Sequence, residues 1–340
     1  MVKKLSLLLI SLVVIIMAGC SSDKSSGSDN KKETFTLKLG HVGPADAEHP
    51  WQKYAKIYAD EIEKKTDGRV KIQIYPSSQL GGDREMTEAL QQGTLEMGLI
   101  STIAMGNFVP ELQVWDLPYI FPNDNAKVDE ILEGPIGEKL ANAMSKKSLH
   151  ALAYWENDWR AMTNSKHPIE SVKDLKGLKM RVVENKPSLD WFGRVGAIPT
   201  PMAFSEVYTA LQQKTIDGQD NGTLLTHGAK LYEVQPYFTF TNHMYAPLAL
   251  VVSDKTWSKM PEDIQKILKE TGVTVGKEQR KYSRETAKKL AEQLKKEGVT
   301  VTELSDSAIK EFQDSAAETY KKLAPEIGQD LIDEMLKYRQ

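Results

Sequence analysis

The chain has 340 residues, with 44 Lys and Arg against 47 Asp and Glu for a formal net charge of -3. A balance this close to neutral excludes a broad nucleic-acid footprint, and the interspersed signs assign most lysines to solvated faces. Its single cysteine, Cys20, excludes an internal disulfide and a Cys-based zinc centre.

Lys3 and Lys4 precede an uncharged run, Leu5 to Met17, too short to span a bilayer comfortably, and Ala18-Gly19-Cys20 follow. Small residues directly before a cysteine fit a lipoprotein cleavage site. Residues 1–19 are then a signal peptide, and Cys20 becomes a lipid-bearing first residue. The alternative is a plain signal peptide with an incidental cysteine. Residues 20–33, rich in Ser, Asp, Lys and Gly, suit a flexible tether. With Cys20 on lipid, no thiol nucleophile remains. The roughly 310 residues that follow exceed the usual reach of one hydrophobic core, so two domains are expected.

FTLKLGHV, from Phe35 to Val42, alternates as a strand, and Pro44 to Glu48 is a turn. Pro50 opens a helix with Trp51, Tyr54, Ala55, Tyr58 and Ile62 on one stripe, stopped at Thr66-Asp67-Gly68. Val70 to Tyr75 is a second strand. A short helix runs from Gly81-Gly82-Asp83 to Gly93, and Met97 to Ile100 is a buried strand. This βαβα rhythm predicts an α/β protein with mostly parallel sheets flanked by helices. His150 to Trp155 is a further strand, leading into the polar, aromatic run Glu156-Asn157-Asp158-Trp159-Arg160. Tyr245 to Val252 is a continuous apolar run, as in a strand covered on both faces. Pro261 starts a helix, and the following stretch from about Val273 to Glu297, free of proline, predicts a long helix ended by Gly298.

Lys179 to Gly222 carries the most chemistry. It predicts strand, helix, strand, helix and a polar turn, with Arg181 set among the apolar Met180, Val182 and Val183. A guanidinium there either crosses to solvent on an edge strand or meets an anion in a cleft, and its fork suits a carboxylate. Arg160 with Asn164, Gly177 to Arg181, Pro201 to Tyr208, and Asp217-Gly218-Gln219 together resemble the signature of the DctP family, the extracytoplasmic solute-binding proteins of TRAP transporters. The likeness extends through Pro76 to Gly81, Leu117-Pro118-Tyr119 and Thr241-Asn242-His243, covering essentially the whole mature chain. One departure is Gly222, where many relatives carry proline.

The resemblance implies a two-lobed, periplasmic-binding-protein-like (type II) fold with a long helix crossing both lobes. Lobe I would take residues 34–156 and 246–285, and lobe II residues 157–245 and 286–340. It implies Arg181 as carboxylate anchor, with Arg160, Asn221 and Phe204 beside the ligand. On residue chemistry alone Arg160 could equally stack on Trp159 at the surface, Asn221 could cap a turn, and Phe204 could be core. Asp83, Ser101, His41 and Trp155 are candidates to bond ligand hydroxyls or close over them. Glu156, Asn242 and His243 are contacts or hinge residues, and Glu206 is structural.

The expected protein is a monomer without cofactor, enzyme activity, metal or nucleic acid. It would sit lipid-anchored outside the cytoplasmic membrane, where it passes a sugar acid or C4-dicarboxylate to small and large TRAP membrane subunits. A signalling sensor and a sugar-acid enzyme are the alternatives. His41 and His49 near Asp46 and Glu48 invite a metal site but lack a ligand spacing. No nucleophile elbow, Walker loop or zinc-protease motif occurs.

Overall fold

The structure, a computed structural model, describes residues 33–339. Cys20, the signal peptide and all but the last residue of the tether lie outside them. Eleven strands form two sheets. In the first lobe β1 (Phe35–Gly40), β2 (Val70–Tyr75), β3 (Met97–Ser101), β4 (Leu149–Trp159) and β10 (Tyr245–Ser253) are ordered β2-β1-β3-β10-β4. In the second lobe β5 (Ala161–Asn164), β6 (Lys179–Val182), β7 (Ile198–Pro201), β8 (Gly218–Asn221), β9 (Tyr237–Phe240) and β11 (Thr300–Glu303) are ordered β11-β9-β5-β8-β6-β7.

Local sequence explains the first sheet. Leu37 and Leu39 of β1 are buried while Thr36 and Lys38 are exposed, and every residue of β10 is buried, as its unbroken apolar run requires. Pro50 stands at the first position of the helix Pro50–Lys65, where its missing N–H costs nothing. Parallel pairs join β1 to β2 and β3, whereas β10 runs antiparallel to β3 and β4. In the second sheet β5 is likewise antiparallel to its neighbours. These antiparallel strands flank the crossings: the chain leaves the first sheet between Trp159 and Ala161 and returns between Phe240 and Tyr245.

The helix starting after Pro261 and the long helix are one element, Glu262–Lys296, 35 residues and about 52 Å long. Gly272 does not end it, because that glycine, with Gly276, lets the helix lie against the indole of Trp155. Trp155 Nε1 donates to the Gly272 carbonyl at 3.0 Å, and a Cβ at Gly276 would fall 2.6 Å from Trp155 Cδ1. Further along, the Gln279 amide both accepts from Glu156 N and donates to Glu156 O, each at 2.8 Å, and Arg280 Nη1 donates to Tyr154 O at 2.7 Å. The helix is therefore stitched to β4 just before the crossing.

The C-terminus departs from the expected lobe boundary. Phe312 enters the second-lobe core, but Leu323, Ile327, Leu331, Ile332 and Met335 join the first-lobe core with Val114 and Trp115. Amphipathic spacing announces these helices in the sequence, but it carries no information about which apolar groove receives them.

Replacing Gly276 with Ala is expected to lower stability by about 1–3 kcal/mol, because the indole it would strike is held by Gly272 and cannot retreat. Denaturant unfolding of the full described chain checks this; unchanged stability would mean the helix rides freely over Trp155.

Candidate functional site

The second lobe supplies the cations. Met180 and Val182 point into its core, which turns the alternate residue, Arg181, toward the space between the lobes. Arg181 is 3% exposed, and its Nε and Nη2 donate to the Met202 carbonyl at 3.1 and 2.9 Å. That geometry occupies one edge of the guanidinium and leaves Nη1 for the cleft. Burial pulls its pKa down to about 10, with Asp220 opposing, so it stays charged at neutral pH.

Arg160, the link between β4 and β5, is buried at 1% exposure beside it. Its Nε donates to Asp220 Oδ2 at 2.5 Å and its Nη2 to the Asp220 carbonyl. His243 Nε2 stands 3.5 Å from the same carboxylate, and its Nδ1 meets Thr241 Oγ1 at 2.7 Å. Burial alone would raise the pKa of Asp220. The Arg160 charge, helped by the His243 ring, outweighs it and holds the carboxyl far below the usual range. Asn221 follows on β8, its Nδ2 donating to Gln219 Oε1 at 2.6 Å.

The first lobe supplies acceptors. Asp83 begins the helix Asp83–Gln92, and its Oδ1 accepts from Ser101 N at 3.3 Å. Burial pushes its pKa up to about 7 against the pull of that bond and of Arg181. Ser101 Oγ and Asn157 Oδ1 are buried without a hydrogen-bond partner. Asn157 is brought here by a β-bulge: Glu156 pairs with Pro247 and Asp158 with Ala246, so Asn157 falls between rungs and out of alternation.

A cavity of about 40 Å³ lies between the lobes. It is lined by Arg181, Arg160, Asn221, Phe204, Asp83 and Ser101, and also by Asn157, Trp51, Arg84 and Glu85. The last four went unnoticed in the sequence; only Asn157, inside the polar run after Trp155, carried any signal. The space holds a few waters, so a larger solute enters only if the lobes part.

Five expected residues do not line this cavity. Trp155 lies under the long helix, as described. His41 bonds Gln52 Oε1 at 3.0 Å behind Trp51, and burial lowers its pKa to about 4. His243 is stacked on Trp191 and acts through Asp220. Glu156 accepts from Arg284 Nε at 2.6 Å and Tyr245 Oη at 3.1 Å, and with Asn242 it lines a separate groove behind the crossings. Among the described residues no group of three or more His, Cys, Asp or Glu could hold a metal ion, and no helix is long and apolar enough to cross a membrane.

Comparison with known proteins matches residues 39–326 to DctP, bacterial extracellular solute-binding protein family 7. The chain belongs to this family. It is 33% identical to the 2,3-diketo-L-gulonate-binding periplasmic protein YiaO of Escherichia coli, over 82% of this chain and 84% of that one. It is 31% identical to the C4-dicarboxylate-binding protein DctB of Bacillus subtilis, over 91% and 88%. The sugar acid binding protein DctPAm of Advenella mimigardefordensis, solved with galactonate, superposes with a TM-score of 0.87 at 32% identity, covering 90% of this chain and 98% of that one. A TRAP periplasmic solute-binding protein of Polaromonas, bound to D-erythronate, gives 0.85 at 38% identity, covering 89% and 98%.

Truncating Asp220 to Ala is expected to destabilise the protein by about 3–5 kcal/mol, since Arg160 would be left buried without a counter-charge. Thermal or urea denaturation at neutral pH checks it; a cost below ~1 kcal/mol would mean that Arg160 is solvated in the free protein.

Proposed function

We propose that this protein is the extracytoplasmic solute-binding subunit of a TRAP transporter. It captures a small carboxylate by lobe closure and delivers it to the membrane subunits, held at the membrane through lipid on Cys20. The observation that carries this reading is Arg181, a buried guanidinium facing an interlobe cleft with no salt bridge of its own among the described residues. Such a group is stable when an anion completes it. Membership of a solute-binding family supports the same role.

The first-lobe wall favours a sugar acid over a C4-dicarboxylate. Asp83, Glu85, Ser101 Oγ and Asn157 Oδ1 present acceptors, which suit hydroxyl donors and repel a second carboxylate. The one cation on that wall, Arg84, is already engaged by Glu88 at 3.3 Å and Glu184 at 3.7 Å. Relatives that bind galactonate, D-erythronate and diketogulonate fit this pattern. Closure brings acceptors and cations onto one ligand and expels water, which strengthens the charge-assisted bonds to the carboxylate.

Calorimetry of wild type and Arg181→Ala against D-galactonate, D-erythronate and succinate tests the reading. Arg181→Ala is expected to lose at least about a hundredfold in affinity, ~2.8 kcal/mol, and Arg181→Lys most of that, because an ammonium cannot reproduce the fork. Retained affinity in Arg181→Ala would remove the anchor.

Affinity should also rise as pH falls from about 8 to about 6. A ligand carboxylate on Arg181 neutralises a charge that holds the Asp83 pKa down, so that carboxyl rises from about 7 and the complex binds more protons than the free protein. Asp83→Asn should flatten the profile. A slope unchanged by Asp83→Asn would assign the proton elsewhere.

A further inference from the structure

Gly222 follows Asn221 directly, and its backbone gives no reason for a glycine. With φ -72° and ψ 170° it would accept any residue, proline included. The reason is steric. A Cβ on Gly222 would stand 2.2 Å from Asp158 Cβ and 2.6 Å from both Cγ and Oδ2. Asp158 fills the space that a side chain at position 222 would need.

Asp158 is 6% exposed and belongs to the end of β4, directly after the bulge at Asn157 and two residues before Arg160. Its Oδ1 accepts from Trp159 N at 2.8 Å. Its Oδ2 accepts from Leu224 N at 3.2 Å, and the neighbouring Thr223 amide also favours the ionised carboxylate. Those two amides open the short helix Thr223–Gly228, which begins just past Asn221. One carboxylate thus grips the crossing strand on one side and the turn after Asn221 on the other.

We propose that Asp158 is a positioning residue, tying the strand that carries Arg160 to the turn that carries Asn221 so that both face the solute in one fixed geometry, with Gly222 as its obligatory complement. Neither residue touches the solute. When the lobes move about the Arg160 crossing, the tie makes the Asn221 turn follow the strand as one body.

Amide hydrogen exchange of the solute-free protein tests the tie without depending on the proposed function. Asp158→Ala should speed exchange at Thr223 and Leu224 by roughly tenfold, as expected for a lost cap. Asp158→Asn, which keeps an acceptor oxygen, should stay within about threefold of wild type. Gly222→Ala should lower the melting temperature in the wild-type background and cost nothing further in an Asp158→Gly background; additive losses would overturn the steric pairing. The affinity arm, which rests on the proposed function, uses D-galactonate as probe: Asp158→Ala should weaken it about tenfold and Asp158→Asn should restore it. Unchanged exchange at Thr223 and Leu224 in Asp158→Ala, or wild-type galactonate affinity in that variant, overturns the proposal. Failure of the wild type itself to bind galactonate counts against the sugar-acid reading, leaving exchange and melting to decide the tie.

Discussion

Two buried guanidiniums stand side by side at the boundary of the lobes, and among the described residues only one of them has a carboxylate partner. Arg160 is neutralised by Asp220; Arg181, next to it and nearly as buried, has only a carbonyl. A buried positive charge held by a neutral acceptor is costly, because desolvation is only partly repaid. The fold places Arg181 at a lobe boundary, where, under the proposed function, parting the lobes would readmit water and closing them on an anion would supply the missing charge. Empty and filled states are thereby given different preferred separations of the lobes.

The same arrangement ties selectivity to architecture. Arg181 comes from a second-lobe strand fixed by β6, β7 and β8 pairing and Arg160 from the link between β4 and β5, while acceptors come from a helix start and a strand end in the first lobe. Rigid elements hold both sets. The groups meet only across the cleft, so under the proposed function a carboxylate at one end and hydroxyls at the other would be matched by the act of closing. The stitching of Tyr154, Trp155 and Glu156 to the long helix keeps the first-lobe end of the crossing fixed while this happens.

Much of this was legible in the chain. Alternation in β1 and β2, the apolar run of β10, and Arg181 set among Met180, Val182 and Val183 depend on neighbours a few residues away, and sequence carries that information well. Trp155 and Glu156 were misplaced because their partners, Gly272, Gln279 and Arg284, lie more than a hundred residues on. Asn157 was missed because a bulge opposite Pro247 breaks the two-residue period on which any assignment of faces relies. The run from Pro261 and the stretch from Val273 were read one after the other and not as a single helix, since a glycine such as Gly272 that admits an indole looks the same in sequence as one that ends a helix.

The return of the last helices to the first lobe bears on how the chain acquires its fold. The lobe that opens with Phe35 is completed by Leu331, Ile332 and Met335, so its core cannot close until nearly the whole polypeptide is available. A chain emerging from its N-terminus would ordinarily finish its first domain first. The second lobe waits as well, since β11 and Phe312 reach it only after β10 and the long helix have intervened in the chain. Until Leu331, Ile332 and Met335 arrive, the groove around Val114 and Trp115 stays uncovered, and it is the surface a holding chaperone would have to shield in the interval.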